Sequence, residues 1–266
     1  MQSIAPYFRK LACKQLDKYI SASTFKSHDS DSIYVSIEGI IGVGKSTLSQ
    51  NLEQKLSEKG ERCILIKETV NLDWLNAFIN KPKERASLFQ IKRLCATIDA
   101  VNKMGIELSI RKEYGDRVSC IGDRLPLGNF AFALIHLIMA NIDEEVFDLY
   151  GTALADGGPY IYPDIVLLIA SPDIAIDRIK QRDRRGESAY TTDYLEKLDE
   201  ATLFTLLYVW SSGVINVYPI KWDEFRDTED VLEILKKPTS DISHIKNELL
   251  NMSYTDMKKK IYELAF

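Results

Sequence analysis

The sequence predicts an α/β protein: one five-stranded, mostly parallel sheet with helices packed on both faces, three layers in all. Two observations carry this. Short Val/Ile/Leu-rich runs recur along the chain and alternate with longer helical segments, the pattern of strands buried on both faces. The first such run enters a glycine-rich loop that opens directly into an amphipathic helix. A chain of 266 residues suits one such domain and needs no disulfide to hold it.

Taken in order, strands are expected near 33–38, 62–67, 117–121, 164–170 and 214–219. Between them lie helices near 45–58, 84–104, 126–140, 142–153, 173–183 and 192–211, then a helical tail near 227–264. Leu48, Leu52 and Leu56 fall four apart, on one face of the second of these elements. His136 falls inside an apolar helix, as a core histidine does. No repeat, low-complexity tract or Pro/Gly-rich linker divides the chain, so residues 32–266 read as one domain with a helical tail. Residues 1–31 read as an N-terminal extension. Within it Arg9, Lys10, Lys14, Lys18 and Lys26 face Asp17 alone, the pattern of a solvated arm or a mitochondrial presequence.

Composition narrows the function. A net charge of −5 argues against a nucleic-acid partner. No apolar run has the length to cross a bilayer, so no membrane partner is expected. Cys13, Cys63, Cys95 and Cys120 show neither close pairing nor zinc spacing, which suits a reducing compartment such as the cytoplasm. The three histidines, His28, His136 and His244, are scattered and form neither a metal cluster nor a triad.

The chemistry is concentrated after the strand ends, where an open parallel sheet binds its ligands. After the first strand comes Gly39-Ile40-Ile41-Gly42-Val43-Gly44-Lys45-Ser46-Thr47, a phosphate-cradling loop of the P-loop NTPase type. Its glycines let backbone N–H groups converge on phosphate, Lys45 brings a point charge to the β/γ-phosphates, and the Ser46 hydroxyl suits Mg²⁺. The following helix aims the positive end of its dipole at the same place. ATP or GTP is therefore expected. Asn102-Lys103-Met104-Gly105 lacks the aspartate of a guanine-reading motif, which argues against a GTP switch.

After the second strand comes Glu68, placed to accept a hydroxyl proton; after the third come Asp123, suited to support Mg²⁺ through water, and Arg124, suited to phosphate. Arg178, Lys180, Arg182, Arg184 and Arg185 crowd a segment that ends at Gly186, as in a lid that closes guanidinium groups over a phosphate. Trp74, Phe89 and Gln90 suit a base, the aromatics by stacking and the amide by paired hydrogen bonds.

Together these residues resemble the deoxynucleoside kinase family, which includes cellular deoxycytidine, deoxyguanosine and mitochondrial thymidine kinases, the insect broad-range enzyme and herpesvirus thymidine kinases. The likeness spans about residues 33–220. Its carriers are Ile37-Glu38-Gly39 leading to Gly44-Lys45-Ser46, Glu68-Thr69-Val70 with Trp74, Pro82-Lys83 leading to Phe89-Gln90, Asp123-Arg124-Leu125-Pro126, and Lys180-Gln181-Arg182-x-Arg184-x-Gly186-Glu187. The resemblance implies an ATP- and Mg²⁺-dependent kinase that phosphorylates the 5′-hydroxyl of a deoxynucleoside, thymidine or another pyrimidine first, for nucleotide salvage. It implies that Glu68 activates that hydroxyl with Arg124 beside it, that Gln90 reads the base, and that Glu187 bonds the sugar 3′-hydroxyl. Arg182 and Arg184 fall in its lid, and Arg93 and Asn129 near positions that tune base choice. A homodimer through helices such as 84–104 and 126–140 is implied as well. The Asp-Arg-x-Pro and Arg-x-Gly-Glu wording is more similar to the herpesvirus enzymes, and for a viral chain the compartment is the host cytoplasm.

The chain also departs from the family. Thr69 stands where proline usually follows the glutamate, Trp74 lies six rather than five positions beyond it, Ile79 occupies a usual tyrosine position, and Ala133 a usual aromatic one, with Phe130 and Phe132 as substitutes. Two rivals remain: a thymidylate-type monophosphate kinase, whose second strand leads into an acidic-Pro-Gly-Gly segment where this chain has Glu68-Thr69-Val70-Asn71, and a catalytically silent homologue.

Overall fold

Five strands, β1 (Tyr34–Glu38), β2 (Arg62–Ile66), β3 (Val118–Asp123), β4 (Asp164–Ile169) and β5 (Val217–Lys221), pair in parallel in the order β2-β3-β1-β4-β5. β1 sits in the middle with every residue buried, which explains its mainly apolar composition, Ser36 and Glu38 being its buried polar residues. Register sets Ile37 opposite Asp123 on one side and Val166 on the other, so the phosphate loop and Asp123-Arg124 leave the sheet at the same edge. β5 is an edge strand and holds Pro219, whose missing N–H is tolerated there; its carbonyl accepts from the Phe266 N–H at 3.0 Å. This computed structural model describes residues 4–22, 32–68, 70–114, 118–157, 162–184 and 187–266.

The helices are α1 (Pro6–Ala22), α2 (Lys45–Glu58), α3 (Leu72–Asn80), α4 (Pro82–Glu113), α5 (Pro126–Ile138), α6 (Glu144–Asp156), α7 (Pro172–Arg182), α8 (Thr192–Ser211), α9 (Thr228–Leu235) and α10 (Tyr254–Leu264), with 3₁₀ turns at Glu187–Ala189 and Ser243–Ile245. They flank the sheet: α2 packs on β1, β2 and β3, and α4 on β2 and β3. α5 runs through the molecular core against α4, α6 and α8.

Three expectations are corrected and one element is added. Within the expected N-terminal extension, Pro6–Ala22 is no loose arm: α1 packs on α6 and α8, with Ala12, Leu16 and Tyr19 in the core. Its basic residues mark its solvated side, Lys14 pairing with Asp148 at 2.9 Å and Lys18 reaching Thr152 at 3.1 Å, while Arg9 turns inward. α3 was not anticipated between the second strand and the long helix. The tail is not one helix but α9, a 3₁₀ turn and α10, which begins afresh where Ser253 accepts from the Asp256 N–H. Finally, α5 is buried within its own chain and leaves no face for a second subunit.

Candidate active site

At the carboxyl ends of the strands lies a cleft of about 390 Å³, with the phosphate loop at one end and aromatic side chains at the other. That volume falls in the range of small-molecule sites. At the phosphate end, Ile40 and Val43 bury their side chains in the core and so pin the loop backbone. Gly44 turns through φ = 111°, and a Cβ there would lie 2.9 Å from the Phe225 ring, so no side chain fits at this point of the loop. Lys45 is buried at the start of α2, its Nζ donating to the Ile40 carbonyl at 2.8 Å. Burial and the Arg124 charge lower its pKa to about 8. Ser46 and Thr47 line the cleft beside it.

Glu68 extends from the end of β2 into the same cleft. Its Oε1 lies 2.5 Å from Arg93 Nη2 and 3.0 Å from Arg124 Nε. Burial alone would raise the Glu68 pKa, but Arg124, Arg93 and Lys45 overcome it and hold the carboxyl at about 2. The group is therefore a permanent carboxylate. Arg93 Nη2 also donates to Asn129 Oδ1 at 3.0 Å, and Asn129 Nδ2 to Thr97 Oγ1 at 2.9 Å, which ties α4 to α5 around the carboxylate. Arg124 has φ = 59°, a backbone state that a non-glycine residue adopts at a cost and that clusters at functional sites. Its Nη2 donates to the Gly39 carbonyl at 2.9 Å, its guanidinium lies over the Phe132 ring, and its buried Nη1 has no hydrogen-bond partner among the described residues. Asp123 is buried behind Lys45, which it helps to keep charged, and its Oδ1 also lacks a partner among the described residues.

The aromatic end holds two of its three expected residues. Phe89 and the buried Gln90 line it. Trp74 does not: it is 46% exposed on α3, with Lys92 Nζ 3.8 Å from its ring centroid. The cause is the phase of α3, whose N-cap Asn71 accepts from the Asp73 and Trp74 N–H groups and so starts a helix that buries Leu75 and Phe78 instead. Phe78 lines the cleft and stacks on Phe89 at 4.8 Å, and the spacing Leu75, Phe78, Ile79 was the available signal for it. Of the two phenylalanines expected to replace an aromatic at Ala133, Phe132 lines the cleft, whereas Phe130 lies in the core against Phe147.

The arginine-rich segment divides. Arg178 is no lid residue: it donates to the carbonyls of Val43, Trp222 and Asp223 and lies over Phe225, fastening the phosphate loop to the segment after β5. Lys180 is exposed beside Asp177. Arg182 and Arg184 border the cleft and pair with Glu187, at 2.5 and 3.4 Å. Thr69, Arg185 and Gly186 lie outside the described residues. Tyr190 and Tyr194, absent from the sequence reading, stack on each other at 5.4 Å and also line the cleft; an aromatic three residues beyond Glu187 was their only trace.

A phosphate loop, an arginine-clamped carboxylate and an aromatic slot thus share one cleft. The family model for deoxynucleoside kinases matches residues 35–228, most of the chain and all of this cleft. The chain belongs to the deoxynucleoside kinase family. Relatives of this kinase include a deoxyadenosine kinase of Dictyostelium discoideum, 25% identical over 76% of this chain and 78% of that protein, and a probable deoxycytidine kinase of fowlpox virus, 26% identical over 73% and 78%. A thymidylate kinase of Rhodopirellula baltica is 27% identical over 64% of this chain and 66% of its own length. Among solved structures, the deoxyadenosine kinase of M. mycoides with bound dATP superposes with a TM-score of 0.59, at 21% identity over 77% of this chain and 100% of that one, which shows the shared fold.

Proposed function

We propose that this kinase transfers the γ-phosphate of ATP to the 5′-hydroxyl of a deoxynucleoside, thymidine or another pyrimidine first, to give the 5′-monophosphate for nucleotide salvage. The observation that carries this is Glu68: an ionised carboxylate fixed by Arg93 and Arg124 in the cleft that the phosphate loop enters. Its low pKa makes it a weak base, which suits a loose phosphoryl-transfer transition state where orienting the hydroxyl matters more than removing its proton early. As the O5′–P bond forms and the bond from Pγ to the bridging oxygen breaks, the hydroxyl proton passes to Glu68.

Arg124 serves the transferring phosphate with the Nη1 that lacks a partner among the described residues, Lys45 serves the β/γ-phosphates, and Arg182 and Arg184 approach from the lid. The Ser46 hydroxyl and the Asp123 Oδ1, which lacks a partner among the described residues, fit Mg²⁺, directly and through water; the ion would neutralise phosphate charge. Gln90, with Asn129 and Arg93 behind it, addresses the acceptor base, and Glu187 the 3′-hydroxyl. Phe225, with Arg178 over its ring, offers the donor base a platform beside Gly44. The homodimer we expect would use α4, which exposes Leu88, Ile106 and Ile110. Free cysteines at Cys13, Cys63, Cys95 and Cys120 suit the cytoplasm, and the packed α1 does not suit a removable presequence.

The thymidylate kinase relative favours a second reading, in which the acceptor is a monophosphate. Charge opposes it: the Glu68 carboxylate, 2.5 Å from Arg93 and 3.0 Å from Arg124, would face the acceptor phosphate. Incubation with ATP, Mg²⁺ and a panel of deoxynucleosides and thymidine monophosphate separates the readings. Monophosphates from nucleosides support ours; diphosphate from the monophosphate supports the rival; no product from either supports a silent homologue. Glu68→Gln should lower turnover about 10²–10⁴-fold with ATP binding retained, and unchanged turnover would remove Glu68 from this role.

A further inference from the structure

At the aromatic end of the cleft, one buried polar atom is left over. His136 is 2% exposed on α5 and lines the cleft, yet its Nε2 has no hydrogen-bond partner among the described residues. Its ring is fixed: Phe78 meets it edge-on at 4.9 Å, Tyr194 lies at 6.4 Å, and Asn141 Nδ2 donates to Nδ1 at 3.2 Å. Asn141 is itself held, its N–H bonding the His136 carbonyl at 2.9 Å. A neutral imidazole carries one ring proton, so with Nδ1 accepting from Asn141 that proton sits on Nε2. Burial pushes the His136 pKa down to about 4, which keeps the ring neutral near pH 7.

Most buried side-chain polar atoms have a hydrogen-bond partner. His136 instead lines the cleft with one buried N–H that has no partner among the described residues, beside Gln90, whose amide both donates and accepts. Thymine, cytosine and guanine each carry an exocyclic carbonyl oxygen; adenine carries none. We infer that His136 is a base-selecting residue, its Nε2–H donating to an exocyclic carbonyl oxygen of the acceptor base while Gln90 reads the neighbouring edge. Adenine would leave that donor unpaired, and a buried unpaired donor is what turns a contact into discrimination. This rests on the nucleoside-kinase reading above and deepens it.

The test measures kcat/KM for thymidine, deoxycytidine, deoxyguanosine and deoxyadenosine with wild type, His136→Leu and His136→Gln. His136→Leu should lose about 10–100-fold on the best carbonyl-bearing nucleoside and about 3-fold or less on deoxyadenosine, with KM for ATP unchanged. His136→Gln, which keeps an N–H donor, should recover part of the loss. An equal loss on all four bases, or none, overturns the inference while leaving the kinase reading intact; a wild type inactive on all four takes both down. A second readout does not depend on the variants folding. In ¹⁵N-histidine-labelled wild type, His136 should be protonated on Nε2, and that resonance should move with thymidine but not with ADP. An Nδ1-protonated ring, or a resonance indifferent to thymidine, overturns it.

Discussion

Glu38, buried at the end of β1, and Glu68, half-buried just past the end of β2, are two carboxylates that their surroundings drive in opposite directions. Glu68, against two guanidinium groups, is held at about 2 and stays ionised throughout the working range. Glu38 is raised to about 7, chiefly by burial, with Arg124, Ser36 and the Leu125 N–H only partly offsetting it. Its Oε1 accepts from Ser36 at 2.5 Å and from Leu125 N at 3.0 Å, and its other oxygen abuts Gly128, where a Cβ would lie 1.8 Å away. The sign of its effect follows. Between the unfolded carboxylate value and about 7 the folded state binds the proton and the unfolded state does not, so stability falls as pH rises through that window. Glu38→Gln cannot titrate. Unfolding in urea at about pH 5 and about pH 7.5 should show wild type losing at least about 1 kcal/mol more than the variant. Parallel losses would mean that Glu38 is ionised in the fold. At this scale the sequence disclosed Glu68, Arg124, Gln90 and Lys45 because each follows a strand end or sits in a spaced motif. It concealed Phe78, Tyr190 and Tyr194, because an aromatic that lines a cleft reads the same as one that fills a core.

Elements explain that split. β1, β3 and β4 are buried almost throughout and write mainly apolar runs, while the edge strand β2 is only half-buried; α2 and α8 have the bounds that their sequence expects. α3 is short, and only its cap and its Leu75–Phe78–Ile79 spacing mark it; with it unseen, Trp74 was assigned to the base when the helix turns that ring outward. Since α3 contributes Leu75 and Phe78 to the cleft, loosening its start should be felt at the acceptor and not at the donor. Asn71→Ala removes the cap for the Asp73 and Trp74 N–H groups and should cost about 1 kcal/mol of stability. Steady-state kinetics should show a higher KM for the nucleoside with KM for ATP unchanged. A rise in both would mean that α3 supports the whole cleft rather than its aromatic end.

Across the whole molecule, the sheet order was accessible only as far as parallel pairing, while the place of α1 was not legible at all. Its partners lie far along the chain: Arg9 Nη2 pairs with Glu200 on α8 at 2.8 Å, Arg9 Nη1 donates to the Leu249 carbonyl at 2.9 Å, and the Ile4 N–H also reaches Glu200. A basic helix whose acidic partner is that remote in sequence looks like a solvated arm. Arg9→Ala would leave the buried Glu200 charge short of its partner and should lower unfolding stability by about 3–5 kcal/mol in urea titration; wild-type stability would separate α1 from the folded unit. On the proposed reading, this framework brings a triphosphate and a sugar into line across Glu68. The most direct test is a crystal structure of the protein with ADP and thymidine. The account predicts the 5′-oxygen within hydrogen-bond reach of the Glu68 carboxylate, at about 2.6–3.2 Å, facing the phosphate loop with the base beside Gln90. A sugar bound with its 5′-oxygen turned away from Glu68 would contradict it.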